Sequence, residues 1–154
     1  MTITVSSIIS DIKRHLSTIG KRFYSKEGKN LFSDITLSSA EDVQLLTQYI
    51  NSSAQDVEAA LKQFITASSY GATISMTIRN TRGDSDFETR AQALVVSYVT
   101  LNSIGEYLGM THSDLSQKYQ RDAQQKIETL VSYVFYKKTP TATADPLSAR
   151  SSVS

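Results

Sequence analysis

Residues Phe87–Leu108, FETRAQALVVSYVTLNSIGEYL, form the most apolar helical pattern in the chain and therefore indicate its central element. Its large apolar side chains recur at steps of three and four residues, which places them on one face of an α-helix. Ser85 and Glu88 stand at capping-box spacing before this pattern, and Gly109 provides a left-handed stop after it. The pattern predicts a central helix of more than twenty residues.

Three further segments repeat this period and predict helices around the central one. They cover residues 4–24, residues 38–67, and a stretch from Thr111 or Ser113 to about residue 138. The second segment opens with Ser38 and Glu41 at capping-box spacing. Three poor helix formers at residues 51–53 predict a kink within it.

The period changes in Ala72–Asn80, where apolar Ile74, Met76 and Ile78 alternate with polar residues. Such alternation predicts a strand with one buried face. The backbone groups of a strand need a partner, and the other extended segment within this sequence is Ile35–Leu37. We therefore expect either a small ribbon of these two segments or pairing of the strand edge with a neighbouring molecule.

The last sixteen residues, 139–154, read TPTATADPLSARSSVS and contain both prolines of the chain. They hold only two large aliphatic residues, so they cannot bury enough apolar surface to fold alone. We predict a single α-helical domain over residues 1–138 followed by a flexible C-terminal arm. The expected fold is mainly α, a bundle of about four helices with one short extended or β segment at about residues 72–80.

Charge is segregated along the chain although the net charge is only +1. Residues 12–33 contain six basic residues against Glu27, a net charge of +5, and residues 34–60 contain five acidic residues and no basic one. Either these two segments lie against each other inside one subunit, or they meet across a boundary between subunits. The second arrangement is a head-to-tail contact of the kind that closes rings.

Patterns typical of enzymes are missing from the sequence. The chain has no cysteine, which excludes disulfides, thiolate metal sites and thiol nucleophiles. His15 and His112 have no second ligand at metal-binding spacing, and no phosphate loop, nucleophile elbow or HExxH pattern occurs. No apolar run is long enough to span a bilayer. We therefore expect a soluble protein that is not an enzyme, with no cofactor, no metal and no membrane partner.

The segment Asn102–Tyr119, NSIGEYLGMTHSDLSQKY, resembles a helix-turn-helix in its apolar and glycine positions. Lys118, however, stands where that motif places an apolar residue, and the flanking helical patterns are longer than the short helices of the motif. The candidate reading helix is not strongly basic, because Lys118 and Arg121 are opposed by Asp114 and Asp122. A glycine-turned helix pair explains the same residues, so a small DNA-binding regulator is the alternative function.

The order of elements from about residue 38 to 138 resembles the head-to-tail connector, or adaptor, proteins of tailed bacteriophages. An acidic helix opens with SSAEDVQLLTQYINSSAQDVEAAL (38–61), an extended segment and a long apolar helix follow, and the last helix ends in SYVFYKKTP (132–140). Those small α-helical proteins form rings, typically of about twelve copies, beneath the portal. The resemblance implies a structural protein of the virion, present in the host cytoplasm during assembly.

The resemblance also implies the partners. They are further copies in a homo-oligomeric ring, the portal protein, and tail or other neck proteins, with non-specific proximity to the DNA that passes through the channel. The residues expected to contact neighbours are Ile74, Met76, Ile78, Arg79, Pro140, Pro146 and Leu147. Those expected to face the DNA channel or a neighbouring subunit are Lys13, Arg14, Lys21, Arg22, Lys26 and Lys29.

Overall fold

A computed structural model describes residues 1–22, 39–109 and 112–136. It contains four α-helices and a three-stranded sheet, so the predicted mainly α fold with a small extended region is confirmed. The predicted arm at 139–154 lies outside the described residues. In chain order the elements are β1 (Thr2–Thr4), α1 (Val5–Arg22), α2 (Ala40–Leu61), a single 3-10 turn (Lys62–Phe64), β2 (Ile65–Ser69), β3 (Thr73–Ile78), α3 (Phe87–Leu108) and α4 (Ser113–Phe135).

Helix α3 is the central helix and contacts α1, α2 and α4. Its first residue, Phe87, stacks its ring on Tyr133 near the end of α4, with the ring centroids 5.2 Å apart. Near the other end, the Ser116 hydroxyl at the start of α4 donates a hydrogen bond to the carbonyl of Gly105 at 2.6 Å. These two contacts join opposite ends of the helices, so α3 and α4 form an antiparallel hairpin along their whole length.

Small residues allow the two helices of the hairpin to approach closely near the turn. A Cβ atom added at Gly105 would lie 2.7 Å from Cγ of Gln120 and 3.2 Å from the carbonyl oxygen of Ser116. Gln120 also donates from its side-chain amide to the Ser116 hydroxyl at 3.1 Å. A side chain larger than hydrogen at position 105 would therefore push α4 away from α3.

The predicted strand is the central strand of the sheet, in the order β1-β3-β2. β3 pairs antiparallel with β1, where Ile3 faces Ile74, and with β2, where Thr66 faces Thr77. Both edges of β3 are therefore occupied by strands of the same chain, and the expected pairing of this strand with a neighbouring molecule is wrong. The partner expected in a ribbon, Ile35–Leu37, lies outside the described residues.

Helix α2 ends at Leu61, six residues earlier than its apolar pattern predicts. The next residue, Lys62, has φ of 54° and ψ of −121°, a positive-φ conformation that ends the α-helix. One 3-10 turn then leads into β2, where Ile65 is buried in the sheet. Residues 51–53, where a kink is predicted, lie within this single continuous helix.

The N-caps of α2 and α3 lie one residue later in the chain than the sequence predicts. Ser39 is the N-cap of α2, and its hydroxyl accepts a hydrogen bond from the backbone N–H of Asp42 at 3.1 Å. The sequence predicts this role for Ser38, which lies outside the described residues. At α3, Asp86 occupies the N-cap position in place of Ser85 and makes no side-chain capping bond.

One core joins the apolar faces of all four helices to the buried side of the sheet. Burial of each large aliphatic side chain contributes about 1.5 to 3 kcal/mol to folding. The largest side chains with less than 2% exposure are Ile8, Ile12, Leu46, Ile50, Val57, Leu61, Ile74, Met76, Ile104, Leu108 and Leu130.

Candidate functional site

The residues predicted on β3 to contact a partner belong to the core instead. Ile74, Met76 and Ile78 are 0%, 2% and 8% exposed, because their side of the sheet packs on the helices. A neighbouring molecule could reach these three side chains only if the sheet moved away from the helices. The prediction that they contact a partner is therefore corrected. Arg79 is exposed, with its guanidinium 5.0 Å from the ring centroid of Phe64. The other predicted contact residues lie outside the described part of the chain: Pro140, Pro146 and Leu147.

The basic residues of α1 whose side chains are described lie at the surface. Lys13 and Arg14 are exposed because they fall off the apolar stripe that α1 turns to the core. Arg14 is paired with Asp11 one turn earlier, and its side chain is still 74% exposed. Lys21 and Arg22 also belong to α1, but their side chains lie outside the description. Lys26 and Lys29 lie outside the described residues altogether.

A cleft of about 400 Å³ separates α1 from the hairpin of α3 and α4. Leu101 of α3 lies at its base, and an adjoining hollow of about 360 Å³ extends it towards Ser97 and Thr100. We call this surface the α1–α4 cleft. The charged and aromatic residues that line it are Arg14, His15, Lys118, Tyr119, Asp122 and, in the hollow, Asp11 and Lys126.

Cations exceed carboxylates by one in the α1–α4 cleft when His15 is neutral. The Lys118 ammonium group lies 5.9 Å from the ring centroid of Tyr119, and His15 meets the same ring edge-on at 6.5 Å. Sequence reasoning missed this arrangement, because α1, α3 and α4 bring together residues that are far apart in the chain. The exposed Lys13 extends the basic surface along α1.

Two buried hydroxyl groups in the walls of the cleft have no hydrogen-bond partner among the described residues. They belong to Thr100 and Tyr119, each of which is only 4% exposed. Burial raises the pKa of Tyr119, and the nearby charge of Asp122 raises it further. An unpaired buried hydroxyl costs about 1 to 3 kcal/mol, so both groups reduce the stability of the subunit.

Helix α2 carries four carboxylates and no basic residue. Three of the carboxylates accept hydrogen bonds from tyrosine hydroxyls, and the ion pairs found within the described residues all lie outside α2. The negative charge of α2 is therefore not neutralised within the described part of the subunit. The pairs are Tyr107 to Asp42 at 3.4 Å, Tyr98 to Asp56 at 3.0 Å, and Tyr70 to Glu58.

These three tyrosines stay protonated over the ordinary pH range. Burial is the largest cause that raises the pKa of Tyr70, Tyr98 and Tyr107, and the carboxylate that accepts each hydrogen bond raises it further. The hydroxyls therefore remain hydrogen-bond donors to these carboxylates.

Large apolar side chains reach the surface at two places in the described chain. Val43 and Leu45, 39% and 37% exposed, lie beside Glu41 and Asp42 at the start of α2. The second place is the end of α4, where the exposed side chains are Phe135 and Tyr136. Exposed apolar groups of this size beside charges are typical of surfaces that bind other proteins.

The geometry around residues 102–119 differs from that of a helix-turn-helix. In that motif the two helices cross at about 90–120°, and the second one projects into the DNA groove. Here α4 runs antiparallel to α3 and packs on it through Tyr119, Ala123 and Ile127. Lys118 is exposed and lines the α1–α4 cleft.

The remaining motifs have local structural roles. Gly83, in the Arg-Gly-Asp triplet at 82–84, adopts a positive φ of 71° in the turn before α3, and Arg82 pairs with Asp84 at 3.2 Å. His112 occupies the N-cap position of α4. Within the described ranges, no group of three His, Asp or Glu residues could hold a metal ion, and no helix is long and apolar enough to cross a membrane.

Comparisons of this chain with protein-family models, with curated proteins and with solved structures found no match.

Proposed function

We propose that this chain is a structural subunit of a homo-oligomeric ring, built by contacts between unlike faces of successive copies. We further propose that the ring is a head-to-tail connector in the virion of a tailed bacteriophage, which joins the portal to the tail around the DNA channel. The observation that carries the first statement is the distribution of charge over α1 and α2.

Helices α1 and α2 are in contact, yet no ion pair joins them among the described residues. Lys13 and Arg14 are exposed on α1, and three of the four carboxylates of α2 have tyrosines as their partners. This favours neutralisation across a subunit boundary over neutralisation inside one subunit. Contacts between a basic face and an acidic face are heterologous, and they close into a ring when the rotation between copies permits.

The assignment to a phage connector rests on the order of elements. The order of the acidic α2, the extended region that includes β3, the long apolar α3 and the last helix α4 resembles the order expected of that class of proteins. Portal and tail proteins as partners, and a location in the virion, belong to this part of the proposal. The alternative, a DNA-binding regulator, loses support because α4 packs on α3 along its whole length.

Native mass and particle shape test this proposal. The purified protein, alone and mixed with the portal and tail proteins of a phage that encodes it, is examined by light scattering and negative-stain electron microscopy. We expect ring-shaped particles, formed by the protein alone or on the portal. A monomer at all concentrations that binds neither portal nor tail proteins would overturn the proposal.

Binding to duplex DNA distinguishes the proposed ring subunit from the alternative, a DNA-binding regulator. We expect no tight binding to duplex DNA by residues 117–121 of α4. Salt-dependent binding that is lost when Gln117, Lys118 and Arg121 are replaced by alanine would favour the regulator instead.

A further inference from the structure

We propose that the α1–α4 cleft of one copy binds the first turn of α2, residues 40–45, of the next copy. This inference rests on the proposed oligomer and names the contact that builds it. We call residues 40–45 the acidic turn.

The acidic turn presents a charged and an apolar side chain together. Glu41 and Leu45 are four residues apart and therefore share one face of α2, whereas Leu46 and Ile50 on another face are fully buried. Leu45 is 37% exposed, and Val43 beside it is 39% exposed. The monomer thus leaves apolar surface uncovered at the one helix that has acidic residues and no basic one.

The α1–α4 cleft offers the matching features in the matching arrangement. Leu101 gives it an apolar base, and Arg14 and Lys118 stand on its opposite sides, one on α1 and one on α4. A volume of about 400 Å³ accommodates the side chains of one helical turn, but not a whole helix 10–12 Å in diameter. The cleft therefore suits an inserted helix end, with Leu45 at the base and Glu41 between the cations.

The electrostatic balance favours this contact. The cleft has an excess of one positive charge, and the acidic turn brings two negative charges, from Glu41 and Asp42. The N-terminus of a helix carries about half a positive charge, which the two carboxylates outweigh.

The acidic turn of a subunit does not occupy that subunit's own cleft. Tyr98 and Asn102 of α3 hydrogen-bond to α2, whereas Thr100 and Leu101 of α3 line the cleft, so α3 lies between the two surfaces. Glu41 on its exposed face points away from this core. The occupant must therefore come from a second copy, and each copy then uses two different surfaces, as a ring requires.

A charge-swap experiment with two variants tests the contact. The cleft variant carries Arg14→Glu and Lys118→Glu, and the turn variant carries Glu41→Lys and Gln44→Lys, which leaves Leu45 in place. In each variant alone, both contacting surfaces have the same sign, so we expect the concentration needed for half-assembly to rise by about tenfold or more. In a mixture, the turn of each variant meets the cleft of the other with opposite sign. We expect assembly to return to within about threefold of the wild type.

A matched control carries Lys62→Glu and Arg90→Glu, two exposed residues outside both surfaces, and should assemble like the wild type. Circular dichroism checks that every variant is folded. If a swap variant is unfolded, Arg14→Gln with Lys118→Gln and Glu41→Gln replace the swaps, and each should weaken assembly by a smaller factor.

The outcomes separate this inference from the proposed function. If the wild type assembles and the swap variants assemble equally well, the contact lies elsewhere: the inference is overturned and the proposed ring remains. Loss of assembly in each variant without rescue in the mixture also overturns it. If the wild type forms no oligomer, alone or with portal, both proposals fall.

Discussion

At the residue scale, the tyrosine hydroxyls among the described residues include some that are paired and some that are buried without a partner. Tyr98 donates to Asp56 at 3.0 Å, whereas the hydroxyl of Tyr119 has no partner among the described residues. Removing a paired hydroxyl loses a hydrogen bond, and removing an unpaired one relieves a desolvation cost. The two hydroxyls are therefore expected to have opposite effects on stability.

We predict that Tyr98→Phe lowers the free energy of unfolding by about 1 kcal/mol, and that Tyr119→Phe leaves it unchanged or raises it by about 1 kcal/mol. Urea denaturation of the two variants and the wild type measures both changes. A loss of stability in Tyr119→Phe as large as in Tyr98→Phe would show that the Tyr119 hydroxyl has a partner in the folded protein.

The raised pKa values of Tyr98 and Tyr107 predict the response to alkaline pH. A group whose pKa is higher in the fold than in the unfolded chain stabilises the fold fully below the unfolded pKa, about 10 for tyrosine. That contribution is lost as the pH rises from there through the folded pKa. The melting temperature should therefore fall above about pH 10, and fall less steeply in Tyr98→Phe. An equally steep fall of the melting temperature in Tyr98→Phe would contradict the assignment of part of this loss to Tyr98.

At the scale of elements, the hairpin of α3 and α4 depends on the close approach at Gly105. We predict that Gly105→Ala lowers the free energy of unfolding by about 1 to 3 kcal/mol, because its Cβ would lie 2.7 Å from Cγ of Gln120. Alanine in an open helical position would instead stabilise by about 1 kcal/mol relative to glycine. Thermal unfolding compares it with Ser52→Ala on the exposed side of α2, which should stabilise by about 0.5 kcal/mol because alanine is the better helix former. A stabilised Gly105→Ala would show that the helices can separate without cost.

Helices α3 and α4 could be predicted from the sequence because their apolar patterns extend over many turns. β2 could not, because Ile65 fits both a helical stripe and a strand, and the break comes from the backbone of Lys62. β1 is three residues long, too short for alternation to stand out. The sheet therefore has more strands within the chain than sequence patterning indicates.

The candidate site was predictable only in part. Exposure of Lys13 and Arg14 follows from their positions off the apolar stripe of α1. The cleft itself depends on how α1, α3 and α4 pack, which no local pattern encodes. The same is true of the contact between Tyr98 and Asp56, 42 residues apart in sequence.

At the scale of the whole molecule, the subunit keeps its opposite charges apart. The α1–α4 cleft and the exposed Lys13 form a basic side, and the acidic turn lies at the start of α2. In the proposed ring, each of these two surfaces would bind a further copy of the subunit. Repetition of that one contact would build the assembly, and the opposite charges would direct how copies meet.

Removal of the C-terminal arm tests a second contribution to assembly. Truncation after Lys138 removes sixteen residues with only two large aliphatic side chains. We predict that the thermal transition of the subunit stays nearly unchanged, because so few apolar groups are lost, and that assembly becomes weaker. Calorimetry and light scattering measure the two effects. A large fall in melting temperature would show that the arm packs in the core.

Sedimentation velocity over a salt series tests most directly the central claim, that unlike charged faces of successive copies hold the assembly together. We predict species of several 17.0 kDa subunits at about 50 mM salt, which shift towards single subunits as the salt concentration rises to about 500 mM. A single 17.0 kDa species at low salt and high protein concentration, or an assembly whose mass does not change with salt, would contradict the claim.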